Sequence, residues 1–254
     1  MSLTKLALRF AAPVPKVESF SRYLFVGPHP DDIEIGAGAT ATRLAAEGKQ
    51  VCFLICTDGR YGTEKTSETG EALAALRRQE AIRSAAMLGV TDVRFLDLSD
   101  GGFYDHQTLR RGIAQVIGDF QPDILFAPDP CVRSEGHADH LKVGDAVRNL
   151  ACAAANPGIM AQYGAVPAPV QAVAFYMTAR PNRFLGTRGY LKKQLDAIFT
   201  CHTSQFPAGD QGGAMIALYL RLRAADFGLR SLKGCAEGFR VLGGLHMHCL
   251  PESE

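Results

Sequence analysis

Residues 23–40 read YLFVGPHPDDIEIGAGAT, and the rest of the chain can be interpreted around this segment. The apolar run from Tyr23 to Val26 predicts a buried strand. The glycine at position 27 and the prolines at 28 and 30 end that strand, because proline supplies no amide donor and fixes its own φ angle. Residues at helical spacing follow. The polar residues His29, Asp31 and Asp32 therefore lie at a strand-to-helix turn, where an α/β sheet usually binds its ligand.

Strand and helix patterns alternate along the chain. The predicted strands lie at residues 23–26, 51–56, 93–96, 123–127, 170–177 and 239–245. The predicted helices lie at residues 33–44, 71–88, 109–117, 137–155, 190–199 and 213–227. Such alternation implies parallel strands with helices on both faces of the sheet. We therefore expect an α/β, Rossmann-like three-layer sandwich with a mostly parallel sheet and an active site at the C-terminal ends of its strands.

Composition and length favour one globular domain. The chain has 254 residues with 47% apolar and 21% charged residues, which argues against disorder. Neither repeats nor low-complexity linkers divide it, so residues 1–254 are expected to form one domain with residues 1–20 as an N-terminal arm. A net charge of +1 provides no basic surface for nucleic acid or anionic lipid. Without a signal-peptide or membrane-span pattern, a cytoplasmic protein is expected.

Cysteine usage agrees with a reducing compartment. None of the seven cysteines has CxxC spacing, and several lie inside apolar runs. We therefore expect buried free thiols rather than disulfides or a cysteine metal site.

Two residues of the first turn are spaced so that they can share a metal ion. Asp32 lies three residues after His29, about one helical turn, so both side chains can converge on one ion. A simpler explanation exists, in which Asp31 or Asp32 caps the following helix and His29 is a solvated turn residue. The turn taken alone leaves both interpretations open.

A second cluster, His137, Asp139 and His140, also follows an apolar strand and opens a predicted helix. His137 and His140 share a helix face, although two surface histidines at a helix start would have the same spacing. The carboxyl ends of parallel strands share one edge of a sheet, which would bring the two clusters together. Three nitrogen and oxygen ligands with an open position are typical of a catalytic zinc site.

The clusters belong to longer motifs, since residues 28–32 read PHPDD and residues 137–140 read HADH. Together these motifs resemble those of the LmbE/PIG-L family of zinc-dependent N-deacetylases. Further similarities to the family lie at residues 57–63, around Arg78 and Glu80, at 100–101, at 202–205 and at 237–239. The resemblance covers most of residues 23–240. Ala138 and Ala39 depart from a proline and a glycine that are frequent in the family, and neither change removes a reacting group.

The resemblance implies a division of roles. The three expected metal ligands are His29, Asp32 and His140. The expected ion is Zn²⁺, with Fe²⁺ or another divalent transition metal as the alternative. Asp31 would be the general base that takes a proton from a zinc-activated water, and His137 would stabilise the oxyanion or protonate the leaving amine. Asp139 would orient or charge a neighbouring histidine.

Three further residues are expected to contact the substrate: Arg78, Asp100 and His202. Each also has a structural explanation. Arg78 could be a solvated helix charge, Asp100 a turn residue and His202 a helix-end histidine.

The resemblance implies a metal-dependent hydrolase that removes the N-acetyl group from an N-acetylglucosamine-type sugar or its conjugate. One alternative is a metal-dependent phosphoester hydrolase, which would favour two metal ions and more carboxylates. Another is a non-catalytic sugar-binding protein of the same fold. The expected partner is a small amino sugar, without nucleic acid or membrane, and the oligomeric state stays open, a homo-oligomer included.

Overall fold

A seven-stranded sheet forms the centre of the computed structural model, which describes residues 3–63, 68–248 and 250. The strands are β1 (Arg22–Gly27), β2 (Gln50–Thr57), β3 (Asp92–Leu98), β4 (Ile124–Pro128), β5 (Ala172–Tyr176), β6 (Arg183–Gly186) and β7 (Ala236–Gly243). The helices are α1 (Leu3–Ala11), α2 (Asp32–Ala46), α3 (Glu71–Leu88), α4 (His106–Phe120), α5 (Ala138–Ala153), α6 (Pro157–Gln162), α7 (Leu191–Cys201) and α8 (Gln211–Ser231). Within the described ranges, no helix is both long and apolar enough to cross a membrane.

The strand order is β3-β2-β1-β4-β5-β7-β6. The first five strands along the chain pair in parallel, and β7 pairs antiparallel with both β5 and β6. The predicted mostly parallel sheet is therefore confirmed. The chain starts at β1, moves outward through β2 to β3, and then returns to place β4 on the other side of β1. A crevice is expected where the order reverses, between β1 and β4.

The two faces of the sheet bury different side chains of the same strands. Tyr23 and Phe25 of β1 belong to the core that includes residues of α2 and α3. Leu24 and Val26, which alternate with them, belong to the core that includes residues of α4 and α5. Successive side chains of a strand point to opposite faces, so one apolar run serves both cores. This arrangement confirms the three-layer α/β fold.

Three elements differ from the sequence-based prediction. Helix α1 lies in the segment predicted to be an arm, although its Leu3, Leu6 and Phe10 recur at helical spacing; all three are exposed. Helix α6 is only six residues long and begins at a cap, where the Asn156 side chain accepts a hydrogen bond from the Ile159 amide. Strand β6 has no alternating apolar pattern and exists through its pairing with β7.

The cysteine prediction is only partly right. Six of the seven lie among the described residues and are free, whereas Cys249 lies outside them. Cys52, Cys56 and Cys201 are buried as expected, but Cys131 and Cys152 are exposed. Cys131 lies in the connection from β4 to α5, and Cys152 lies near the C-terminal end of α5.

Candidate active site

The crevice between β1 and β4 holds residues of both clusters. His29 lies in the turn after β1, Asp32 is the first residue of α2, and His140 lies in the first turn of α5, which follows β4. The fold thus joins two segments that are far apart in sequence at the carboxyl ends of neighbouring parallel strands. This is the position where open α/β sheets bind ligands.

A single carboxylate bridges the two imidazoles. Asp32 Oδ2 lies 3.0 Å from His29 Nδ1, and Asp32 Oδ1 lies 3.2 Å from His140 Nε2. One possible ligand atom from each of the three residues lies within 4.8 Å of the others. The His29 side chain is 16% exposed, which leaves the cluster accessible from the crevice. The expected ligand trio is therefore assembled in space.

Each imidazole also has a carboxylate on its other nitrogen. His29 Nε2 lies 3.2 Å from Asp139 Oδ2, and His140 Nδ1 lies 2.9 Å from Glu135 Oε2. Such contacts fix the ring orientation of metal-binding histidines and raise their basicity. The sequence predicted that Asp139 would hold a histidine next to it in the chain. That partner is wrong, because Asp139 contacts His29 while Glu135 holds both histidines of the second motif.

Asp139 is fixed by the backbone as well. Its carboxylate accepts hydrogen bonds from the amides of Gly101 and Gly102, at 2.7 and 2.9 Å. These amides lie in the loop after β3, so this loop is attached directly to the cluster. Burial raises the pKa of Asp139 by itself, but the hydrogen bonds and the His29 charge outweigh it and the net pKa is lowered. Asp139 is therefore an ionised partner for His29.

The protein charges within the cluster compensate one another. Burial by itself would lower the pKa of His29, but the Asp32 charge and the Asp139 hydrogen bond outweigh burial and raise it to about 10. Burial would likewise raise the pKa of Asp32, but the imidazoles of His140 and His29 hold it well below its usual range. A metal ion bound here would replace the proton on His29, because a ligating histidine must be neutral.

This donor set fits a divalent transition metal. Two imidazole nitrogens and one carboxylate oxygen, each imidazole held by an outer carboxylate, are typical of a catalytic zinc site. A second possible group, Glu135, His137 and His140, shares the ring of His140 but uses its other nitrogen. In that group the His137 side chain is 72% exposed. The buried trio is the better site, because solvent competes less for its ligands.

Asp31 lies between the two ligands of the first turn and is held by a buried arginine. Its Oδ2 lies 3.2 Å from Arg77 Nη2, and the Arg77 side chain is 4% exposed. Arg77 Nη1 also donates to the Gly59 carbonyl at 3.2 Å. A Cβ atom at Gly59 or Gly62 would collide with the guanidinium, so both glycines are needed for the loop to close over it. The loop after β2 is thereby fixed to the candidate general base.

Arg78, one of the three expected substrate contacts, lies against the end of β3. Its guanidinium pairs with Asp97 at 2.5 Å and lies 3.9 Å above the Phe95 ring. Its neighbour Arg77 reaches Asp31 instead. The sequence could have favoured Arg77 over Arg78. Arg77 precedes Glu80 by three residues, so the two side chains share a helix face. Glu80 is buried and accepts hydrogen bonds from the Ser204 amide and hydroxyl.

The other two expected substrate residues differ in position. Asp100 accepts from the Tyr61 amide at 3.2 Å, next to the glycines that bind Asp139, and burial raises its pKa. His202 caps the C-terminus of α7 and is fully buried, with Nε2 3.2 Å from Glu34 Oε1. Burial alone would lower the pKa of His202, but Glu34 outweighs it and the net pKa is raised. The structure therefore places Asp100, which is itself buried, beside the loop that binds Asp139, and His202 in a buried pair with Glu34.

His137 occupies the open side of the cluster. It is the residue before α5, its Nδ1 lies 2.8 Å from Glu135 Oε1, and its ring centroid lies 4.9 Å from that of His140. With Nδ1 engaged by Glu135, Nε2 is the nitrogen that can exchange a proton with a ligand. The sequence did not single out Glu135, although it lies only two residues before His137.

Comparison with known proteins identifies the family. The family model described as PIG-L, GlcNAc-PI de-N-acetylase, matches residues 24–151, which span the sheet from β1 to β4 and both motifs. The chain belongs to this family. The PIG-L assignment confirms the resemblance on which the sequence-based prediction rests.

Similar proteins cover nearly the whole chain. A diacetylchitobiose deacetylase of Thermococcus kodakarensis is 34% identical over 252 residues, which are 98% of this chain and 92% of that protein. The solved N,N'-diacetylchitobiose deacetylase from Pyrococcus horikoshii, complexed with its inhibitor MPG, has a TM-score of 0.86 and 29% identity, covering 99% and 97% of the two chains. GalB, the 4-carboxy-2-hydroxymuconate hydratase from Pseudomonas putida, has a TM-score of 0.72 at 21% identity, covering 87% and 96% of the chains. That likeness concerns the fold alone.

Proposed function

We propose that this protein is a metal-dependent hydrolase that removes the N-acetyl group from an N-acetylglucosamine unit of a small sugar or sugar conjugate. The proposal rests on the His29, Asp32 and His140 trio, with Asp31 beside it, in the crevice between β1 and β4. The similarity to diacetylchitobiose deacetylases over nearly the full chain supports the substrate class.

In this proposal the trio binds Zn²⁺, with Fe²⁺ as the alternative ion. A divalent metal ion held there would supply Lewis-acid chemistry, polarising an amide carbonyl and making a water molecule acidic. The remaining chemistry belongs to side chains. Asp139 and Glu135 keep the two imidazoles in the orientation and tautomer that the ion needs.

Asp31 is assigned as the general base. Its Oδ2 is engaged by Arg77, so we assign the proton transfer to Oδ1. A carboxylate that is fixed in place beside a water molecule can take its proton without first having to reorient. We therefore assign Arg77 to positioning this base and the loop over it.

His137 is assigned as the group that stabilises the oxyanion or protonates the leaving amine. With Nδ1 held by Glu135, its Nε2 can donate a proton to the carbonyl oxygen or to the amine as the C–N bond breaks. Its exposure fits this role, because the group must meet a substrate that enters from solvent. The products are acetate and the free amino sugar.

Asp100 remains our proposal for a sugar contact, because it lies on the loop whose glycines hold Asp139. For Arg78 and His202 a substrate contact stays a prediction, and their observed contacts with Asp97 and Glu34 favour the structural explanations. One domain over residues 1–254 and a cytoplasmic location also stay predictions, the first supported by the single strand order that runs from β3 to β6.

The proposal is tested by acetate release. The protein would be stripped of metal, reloaded with Zn²⁺ or Fe²⁺, and incubated with N,N'-diacetylchitobiose, N-acetylglucosamine and p-nitrophenyl phosphate. We expect acetate from at least one N-acetylated sugar, only after metal is restored, and no phosphate. Phosphate release without acetate would favour the phosphoester hydrolase, whereas sugar binding without either product would favour a non-catalytic protein.

A further inference from the structure

The outward face of α8 carries apolar side chains over about four turns of the helix. Met215, Leu218, Tyr219, Leu222 and Leu229 are between 49% and 76% exposed. Their spacing of three, four and seven residues places them on one side of the helix. The opposite side packs on β7 and β6 and includes the buried residues Leu220, Ala224 and Phe227. The helix is therefore apolar on both sides, although among the described residues only one side is buried.

The exposed positions of this face are evenly spaced about Leu222. Met215 lies seven residues before it and Leu229 seven residues after it, each about 10 Å away along the axis. Residues 218–219 and 225–226 occupy the matching positions three and four residues to either side, and all four are exposed. We name these residues, 215, 218, 219, 222, 225, 226 and 229, the α8 stripe. A twofold interface requires one patch that is complementary to itself, so the side chains that meet across the axis decide whether the stripe qualifies.

We propose that a second copy of this chain packs on the α8 stripe, with the two α8 helices antiparallel about a twofold axis at Leu222. In an antiparallel twofold arrangement a residue stays on the same lateral side of the stripe. Its position along the helix is reversed, so a residue before Leu222 meets one after Leu222 of the partner subunit. Leu222 then meets Leu222 of the partner subunit, and Met215 meets Leu229 of the partner subunit. Leu218 meets the small side chain of Ala225 of the partner subunit, as close helix packing requires.

The polar residues of the stripe complement each other in this arrangement. Tyr219 and Asp226 lie on the same side of the Leu222 line at opposite heights. The Tyr219 hydroxyl of one subunit can therefore donate to Asp226 of the partner subunit, and the reverse. Within one chain Asp226 pairs with Arg230 at 3.4 Å, and its side chain is 60% exposed. A carboxylate in the middle of the stripe also disfavours the lipid interior as the occupant.

The first test measures mass in solution. We expect the metal-loaded wild-type protein to be a dimer, or an even multiple, at tens of micromolar by light scattering. Leu222→Arg should raise the dimer dissociation constant at least about 100-fold, because both copies lose the central leucine and oppose like charges. Ile159→Arg, which makes the same change at an exposed position of α6, should leave the mass unchanged. Circular dichroism and acetate release of Leu222→Arg should match wild type, which separates loss of pairing from misfolding.

Charge pairing tests the twofold axis itself. Leu222→Arg and Leu222→Asp should each be monomeric, and an equimolar mixture should recover the dimer mass, because only at the axis does a residue meet its own copy. Failure to recover it would place the axis elsewhere on the helix.

Cross-linking tests the antiparallel direction. A mixture of Met215→Cys and Leu229→Cys should form a mixed disulfide dimer under mild oxidation, well above the background set by exposed Cys131 and Cys152 in the unsubstituted chain. Met215→Cys alone should stay at background. Cross-linking of Met215→Cys alone would indicate parallel helices and overturn the arrangement.

Two further results would overturn the proposal. One is a wild-type protein that is monomeric at 100 µM, or whose mass is unaffected by Leu222→Arg. The other is binding of the monomer to vesicles of phosphatidylcholine and phosphatidylglycerol that Leu222→Arg removes, which would make the stripe a lipid-binding face.

Discussion

Two strand-to-helix connections build the candidate site, and they do so differently. The connection from β1 to α2 spans only residues 28–31 and supplies His29 and Asp31, with Asp32 following at once. The connection from β4 to α5 spans residues 129–137 and leaves His137 72% exposed. The short connection orients its two ligands within the turn itself, because the Asp32 carboxylate accepts a hydrogen bond from the His29 amide at 2.8 Å. The long one needs Glu135 to hold its two histidines, so its side chains are the more adjustable part of the site.

This difference suggests a division of labour. The rigid turn holds the ion and the base, whose positions must be accurate to fractions of an ångström. The longer connection contributes one buried ligand and one exposed acid, which must adapt to a substrate as it enters. Substitutions that weaken one connection at a time test whether the two connections have different roles.

The largest effect is expected from His140→Ala, which removes the link between the connections. Without this ligand the metal content of the purified protein should fall to a small fraction of one equivalent, and acetate release should fall to background. Metal content would be measured by plasma mass spectrometry after dialysis. His246→Ala, a change of the same kind outside the cluster, should keep metal and activity. Full metal retention in His140→Ala would contradict the ligand assignment.

A smaller effect is expected from the carboxylates behind the imidazoles. Asp139→Asn and Glu135→Gln should each weaken metal binding by about 10- to 100-fold, as loss of such partners does at other metal sites. Only Glu135→Gln should also lower kcat at saturating metal, because it alone holds His137. Titration with a chelator of known affinity, followed by kinetics at excess metal, separates the two parameters. Equal kcat losses in both variants would remove the distinct role of the longer connection.

The smallest effect is expected from the neighbouring arginines of α3. Arg77→Gln should lower kcat by about 10-fold, because loss of a charge-assisted contact to Asp31 is worth roughly 1.5 kcal/mol or more. Arg78→Gln should change kcat less than twofold, because its pair with Asp97 lies on the surface. Steady-state kinetics on the two variants compares residues of the same type one position apart. A larger loss in Arg78→Gln would restore Arg78 as the functional arginine.

Much of the fold follows from the sequence because the parallel strands are buried on both faces. Continuous apolar runs such as residues 51–56 can be satisfied only between two layers of helices. Strand β6 could not be predicted in this way, since its existence depends on β7 from a distant part of the chain. Helix α1 could have been predicted, because Leu3, Leu6 and Phe10 recur at helical spacing, although all three are exposed in the structure.

The sequence predicted the clustered residues of the candidate site but not the side chains that hold them. Both motifs follow the carboxyl ends of parallel strands, and those ends share one edge of the sheet. The clustered residues therefore follow from the motifs. Their partners do not, since the contact of Asp139 with His29 and that of Arg77 with Asp31 cross between elements. A sequence shows which groups can react, whereas side-chain direction decides which neighbour each one touches.

The central claim is that Asp31 acts on a proton while His29, Asp32 and His140 hold the metal ion. Asp31→Asn tests it most directly, because the change keeps the shape of the side chain and removes its basicity. Zinc content and acetate release would be measured on the same preparation. We predict about one equivalent of zinc and a kcat reduced by roughly 10²- to 10⁴-fold. Undiminished turnover with zinc retained, or loss of zinc from the variant, would contradict the assignment.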